Sequence, residues 1–179
     1  MIITIAGLPG AGKTTMARLL AEKLGMKFYS MGDLRGKMAL ERGLTIDEFN
    51  ALPENTDAAA DEYQAKLGQT EDNFIVDGWA SWHFIPQSFK IFMDVSPDEG
   101  ARRIFNDQGA PHRADEPRMS SLTDAKRIIA ARVKHTDDRL KKYYGINFLD
   151  RGHYDLVVDT TGKRSEDVLK FVLDKIKQE

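Results

Sequence analysis

The 179-residue sequence contains no cysteine, which excludes a disulfide framework, a thiolate metal site and control through thiol oxidation. Its apolar runs are all strand-sized, and the opening Met1-Ile2-Ile3-Thr4-Ile5 lacks a basic flank. Neither a membrane span nor a secretory leader is therefore expected, and the predicted location is the cytoplasm. Net charge is only −2, without the basic surplus of a nucleic-acid binder, and no nucleic-acid partner is expected. The four histidines, His83, His112, His135 and His153, have no ligand-like spacing, so no zinc is expected. What is present is an ordinary globular balance, 41% hydrophobic and 30% charged, at a length that suits one core-bearing domain; a monomer is expected.

The charge is unevenly spread. From Glu41 to Asp77 there are ten Asp or Glu against two Lys or Arg, whereas Arg102 to Lys142 holds eleven Lys or Arg against six acids. Arginines dominate the start of that basic segment and alternate with acids, which points to a local polyphosphate site. A solvated helix face laced with ion pairs accounts for many of the same charges.

Strands and helices alternate along the chain. Ile2 to Ala6 reads as a β-branched strand, followed by a helix through Met16, Leu20 and Leu24 that Gly25 can end. Lys27 to Ser30 is a second strand and leads to a helix running to Gly43. Thr45 with Glu48 three residues on forms a capping box for a short helix ending near Pro53, and another helix spans about Glu54 to Leu67. Phe74 to Asp77 and Lys90 to Val95 are buried strands, and Pro97 opens a helix. Asp107 to Ser121 is rich in Gly, Pro and charge and is read as a lid loop. A long amphipathic helix follows from Leu122 to Tyr143 with Gly145 as its cap, then a strand over Asp155 to Asp159 and a helix over Ser165 to Lys177. Right-handed crossovers then require a parallel sheet covered on both faces, an α/β fold with the first strand central and a ligand at the carboxyl ends of the strands.

The chemistry starts at Gly7-Leu8-Pro9-Gly10-Ala11-Gly12-Lys13-Thr14, which fits G-x-x-x-x-G-K-[ST] between a strand and a helix. In this pattern backbone N–H groups turn inward around phosphate oxygens, the lysine adds a point charge and the hydroxyl serves Mg²⁺. A nucleoside triphosphate site over Gly7, Pro9, Gly10, Ala11, Gly12, Lys13, Thr14 and Thr15 follows. Phosphoryl transfer further needs positive charge around the migrating group. Arg35, Arg102, Arg103, Arg113, Arg118, Arg132 and Arg139 are the candidates. Arg132 and Arg139, two turns apart on the long helix, share a face at about 10 Å separation. Asp77, ending a strand before Gly78, is the expected Mg²⁺ carboxylate alongside Thr14, with Asp94 in competition. An acceptor that is already a phosphate needs no strong base, whereas a hydroxyl acceptor would call on Asp33. Trp79 and Trp82 suit either core packing or stacking on a base.

With these residues in view, the sequence resembles the short, archaeal-type cytidylate kinases of the nucleoside monophosphate kinase family. The resemblance runs nearly end to end. It rests on GLPGAGKTT from Gly7, SMGDLR from Ser30, Asp57 and Asp61, IVDGW from Ile75, the Arg132 and Arg139 pair, YYGIN from Tyr143 and YDLVVDTT from Tyr154. It implies a P-loop three-layer α/β/α fold with a five-stranded parallel sheet, and a core of residues 1–30, 70–106 and 122–179. It also implies a helical monophosphate-binding flap at 31–69 and a lid at 107–121. ATP and Mg²⁺ are the implied cofactors and a nucleoside monophosphate the implied partner. Lys13, Arg35, Arg103, Arg132 and Arg139 take the catalytic places, and Asp33, Asp57, Asp61, Asp77, Gly78 and Trp79 the substrate contacts. Trp79 departs from the pattern, since the family usually carries Arg there, and the base of the acceptor is left open between CMP or dCMP and AMP or UMP. Two other readings remain: a hydroxyl kinase on the same fold, and a nucleotide-binding module that has lost transfer.

Overall fold

The computed structural model describes Met1 to Gln178; Glu179 and the side chain of His112 lie outside the described residues. The first strand, β1 (Ile2–Gly7), is buried at every position. Side chains alternate across a strand, and here both sets find a core. Ile3 and Ile5 pack with Ile75, Ile91, Met93 and with Met16, Leu20, Val168 and Val172. Ile2 meets Phe74, Val76, Ala60 and Leu67, while Ala6 meets Phe92, Trp82 and Phe148. Burial on both faces is the condition under which parallel strands persist.

The remaining strands are β2 (Lys27–Ser30), β3 (Phe74–Asp77), β4 (Phe89–Asp94) and β5 (Leu156–Asp159). They form a five-stranded sheet in the order β2-β3-β1-β4-β5, with β1 central as the sequence predicts. Every pairing is parallel. Helices α1 (Lys13–Leu24), α2 (Met31–Glu41), α3 (Ile46–Asn50), α4 (Ala58–Thr70) and α5 (Ser81–Phe84) precede β4, and α6 (Pro97–Asp107), α7 (Leu122–Tyr144) and α8 (Ser165–Ile176) follow it. The layers are α/β/α. No helix among the described residues is long and apolar enough to cross a membrane.

Local chemistry explains the ends. Thr45 and Glu48 form the reciprocal capping box of α3, and Gly145, at φ 68°, closes α7 with its N–H on Leu140 and Lys141 carbonyls. Two expectations need correction. The helix read from Glu54 starts at Ala58, because Asn55 Oδ1 takes the Asp57 N–H at 3.2 Å and holds that stretch as a turn. The single-turn helix α5 has no signature in the sequence, since four residues are too few to display a 3.6-residue period. The segment read as a lid contains one 3₁₀ turn, Pro111–Arg113.

Gly7 ends β1 with φ 147°, and a Cβ there would run into the Met93 backbone carbonyl of β4. Gly7→Ala is expected to destabilise the protein by more than about 3 kcal/mol, since strain and backbone clash add. Urea unfolding measures this, and a loss under about 1 kcal/mol would mean that the strand end relaxes freely.

Candidate active site

Beyond Gly7 the chain turns through Leu8–Gly12 into α1. Gly12, at φ 85°, occupies the N-cap position and offers no side-chain cap, so the first N–H groups of the helix are left for an anion. That left-handed conformation alone explains the glycine, because a Cβ there would touch nothing within 4 Å. Lys13 folds back over the loop, its Nζ donating to the Leu8 carbonyl at 3.0 Å and lying 5.2 Å from the Trp79 ring centre. Burial pushes the Lys13 ammonium down to about 8, with Asp77 opposing the shift.

Asp77 pairs in register with Ile5 of β1 and Ser30 of β2, which carries its carboxylate to the base of the loop. Thr14 Oγ1 donates to its Oδ2 at 2.5 Å. Oδ1 is buried with no aligned hydrogen-bond partner among the described residues. Burial pushes this carboxyl up, while Thr14, the nearby Ser30 hydroxyl and Lys13 pull it down. Asp94 is turned away onto Arg151 at 2.8 Å, so Asp77 is the carboxylate beside the loop. A hydroxyl and one carboxylate with an orphaned oxygen fit Mg²⁺, which takes one or two protein oxygens and completes its shell with phosphate and water.

A cavity of about 1420 Å³ opens from this loop and reaches α4 and α7, larger than the roughly 300–1,000 Å³ typical of one small-molecule pocket. Pro9 through Thr15 line it, as do Asp33, Asp57, Asp61, Asp77, Gly78 and Trp79. Of the candidate arginines, Arg35, Arg102, Arg103, Arg113, Arg132 and Arg139 line it, as do Arg18 and Arg164. Arg118 does not, a correction to its place among the candidates, because its side chain is exposed on the loop's surface.

These guanidiniums are held by carboxylates from other elements. Arg139 donates through Nε to Asp57 Oδ2 at 2.8 Å and through Nη2 to Oδ1 at 3.2 Å. Arg35 Nε lies 2.9 Å from the same Asp57 as an ion pair without hydrogen-bond alignment, and its Nη2 donates to Asn50 at 2.6 Å and Thr56 at 3.1 Å. Arg132 grips Asp47 with two bonds of 2.9 and 3.0 Å and faces Glu116 at 3.4 Å. Glu116 also accepts from Arg113 at 2.8 Å. The 107–121 loop thus meets the 31–69 segment through Arg132, and the Ile46 N–H donates to the Asp115 carbonyl at 2.8 Å. Arg103 is fastened to the loop itself, Nη1 donating to the Gly10 carbonyl at 3.1 Å and Nη2 to Thr160 O at 2.9 Å.

At the cavity's inner end, Asp61 accepts from Tyr144 Oη at 2.5 Å and Gln64 Nε2 at 2.8 Å. Burial pushes Asp61 up to about 6; burial and the bond to Asp61 push Tyr144 up to about 12. Asp33 sits at the rim, paired with Arg18 at 3.3 Å. Trp79 packs edge-on against Phe148 and lines the cavity, whereas Trp82 stacks on His153 in the core. Gln64, Asn50 and Thr56 lie outside the residues the sequence points to, and Tyr144 enters there only within the YYGIN segment. Gln64 has a local signal of its own, lying three residues from Asp61 on the same helix face.

A phosphate loop on the central strand of an all-parallel sheet, overlooked by converging arginines, defines a P-loop kinase, a phosphotransferase. The chain belongs to the cytidylate kinase-like family, whose model matches residues 2–162. It is 36% identical to the cytidylate kinase of Methanocella arvoryzae, covering 99% of both chains. It is also 30% identical to an S-adenosylmethionine-dependent nucleotide dehydratase of Lacinutrix mariniflava, over 96% of this chain but 35% of that longer protein. Shikimate kinase from Acinetobacter baumannii has the same fold, with a TM-score of 0.66 across 99% of this chain and 93% of that one at 18% identity.

Asp57 is 7% exposed and holds two guanidiniums. Replacing it by Ala leaves both buried and uncompensated, and about 3–5 kcal/mol of stability should be lost. Chemical denaturation checks this, and a cost below about 1 kcal/mol would show the two arginines to be solvated.

Proposed function

We propose that the protein is a cytidylate kinase that transfers the γ-phosphoryl group of ATP to CMP or dCMP. The observation that carries this reading is the continuity of one cavity from the phosphate loop to the Arg35, Asp57 and Asp61 corner, with volume for two nucleotides. On this reading the triphosphate lies on the Pro9–Thr15 backbone under Lys13, and the acceptor lies in a flap of residues 31–69. A lid at 107–121 covers the reaction and excludes water. Arg35 holds the acceptor phosphate, and Arg103, Arg132 and Arg139 neutralise the oxygens in transit. Mg²⁺, held through Thr14 and Asp77, supplies charge neutralisation at the donor phosphates when bound.

An acceptor phosphate oxygen forms the new bond to the γ-phosphorus as the bond from that phosphorus to the β,γ-bridging oxygen breaks, and ADP departs with the electron pair. A phosphate with its second pKa near about 6 is already largely dianionic at neutral pH, so no general base is required. A second reading, transfer to a hydroxyl with Asp33 as base, has support in the position of Asp33 on the cavity wall.

A coupled assay with CMP, dCMP, UMP, AMP and GMP tests the first reading. Turnover is expected with the cytosine nucleotides, and no turnover with any of the five would reject the class. Arg35→Ala should raise KM for the monophosphate at least tenfold and leave the KM for ATP within about threefold; equal losses would contradict its assignment. Asp33→Asn should retain turnover, and its abolition would favour the hydroxyl reading.

Lys13 adds a pH dependence. With its free-state pKa near 8, the ammonium deprotonates as pH rises and its attraction for phosphate is lost, while bound phosphate raises that pKa. ATP affinity should therefore fall by roughly tenfold or more between pH 7.5 and 9.5. Calorimetric titration at the two pH values measures it, and a flat profile would remove Lys13 from the phosphate site.

A further inference from the structure

Gln64 is 2% exposed, yet it lines the cavity from the inner face of α4. Its two ends are not equivalent. Nε2 donates to Asp61 Oδ1 at 2.8 Å, and the other Asp61 oxygen is taken by Tyr144 Oη at 2.5 Å. The carboxylate thereby dictates which way the amide points, because only the NH₂ end of Gln64 can face an acceptor. Oε1 is left buried with no hydrogen-bond partner among the described residues. A buried carbonyl without a donor is costly, and native proteins rarely tolerate one unless a ligand or water completes it.

Most of the polar groups around it are committed. Asn55 Nδ2 donates to Tyr144 Oη at 3.2 Å, Asn55 Oδ1 accepts from the Asp57 N–H at 3.2 Å, and Asp57 is shared between Arg35 and Arg139. Arg35 Nε and Arg139 Nη1 are buried donors there without an aligned partner among the described residues, and Gln64 Oε1 is the acceptor without one; that oxygen calls for a ligand that brings an N–H. The exocyclic amine of cytosine does so. The carbonyl that uracil carries at that position would oppose oxygen to oxygen.

We infer that Gln64 reads the acceptor's base, its carbonyl oriented by Asp61 so that it accepts a hydrogen bond from the 4-amino group of a cytosine nucleotide. Asp61 and Tyr144 are then positioning residues that set the amide's orientation without touching the base. This inference rests on the cytidylate kinase reading and adds a residue that selects among pyrimidines.

The test compares CMP, UMP and the monophosphate of the pyrimidin-2-one ribonucleoside, which lacks the 4-amino group, on the wild-type enzyme and on Gln64→Met. The variant replaces the amide by an apolar side chain of similar length. For the wild type, removing the amine should lower kcat/KM about 10- to 100-fold, whereas Gln64→Met should treat CMP and the pyrimidin-2-one analogue alike within about threefold. KM for ATP should be unchanged in both. A wild-type enzyme indifferent to the amine, or a variant that keeps the wild-type preference, overturns the assignment of Gln64 while leaving the kinase reading intact. Absence of turnover with every monophosphate overturns the kinase reading itself. Should Gln64→Met fail to fold, the comparison of CMP with the analogue on the wild type and on Gln64→Asn decides the matter, since Asn keeps the acceptor but withdraws it by one methylene.

Discussion

A strand buried on both faces can reach solvent only at its ends, and that constraint organises this protein. β1 carries apolar side chains into opposite cores and is flanked by β3 and β4, so its backbone is left free for chemistry only beyond an end, and the phosphate loop lies beyond the carboxyl one. Gly7 permits the closest approach to β4 at that end, and the turn that follows delivers the open N-terminus of α1 directly above it. The neighbouring strand brings Asp77 to the same point. The Thr14 to Asp77 bond therefore joins the beginning of a helix to the end of a strand across the sheet's switch point.

The second organising feature is electrostatic. Several guanidiniums converge on one cavity, and a buried cation without a counter-charge is strongly unfavourable. The protein meets this with its own acids: Asp57 between Arg35 and Arg139, Asp47 and Glu116 around Arg132. These pairs come from separate elements, so they also determine where α2, α4 and the 107–121 loop stand relative to α7. The acidic run from Glu41 to Asp77 and the basic run from Arg102 to Lys142 meet in space at Asp47 with Arg132 and at Asp57 with Arg139.

Much of the architecture is legible in the sequence. The phosphate loop, the capping box at Thr45 and Glu48, the glycine cap at Gly145 and the order of strands and helices all rest on signals contained within a dozen residues, where sequence distance and spatial distance nearly coincide. The central place of β1 followed from handedness and from its position between crossovers. The start of α4 was misjudged because Asn55 competes for the Asp57 N–H, a preference that helical periodicity does not register. The inward turn of Arg113 and the outward one of Arg118 could not be separated by composition.

The chain alone therefore determined the class of fold and the anion cradle, because backbone geometry at Gly7, Gly12 and the α1 terminus is a local property of the residues there. Which acid meets which arginine, which of Asp77 and Asp94 stands beside the loop, and how Asp61 turns the amide of Gln64 were decided only by tertiary structure. Asp57 and Arg139 lie 82 positions apart and Asp61 and Tyr144 lie 83 apart. Such pairs come within bonding distance only once the whole sheet and its helices have packed.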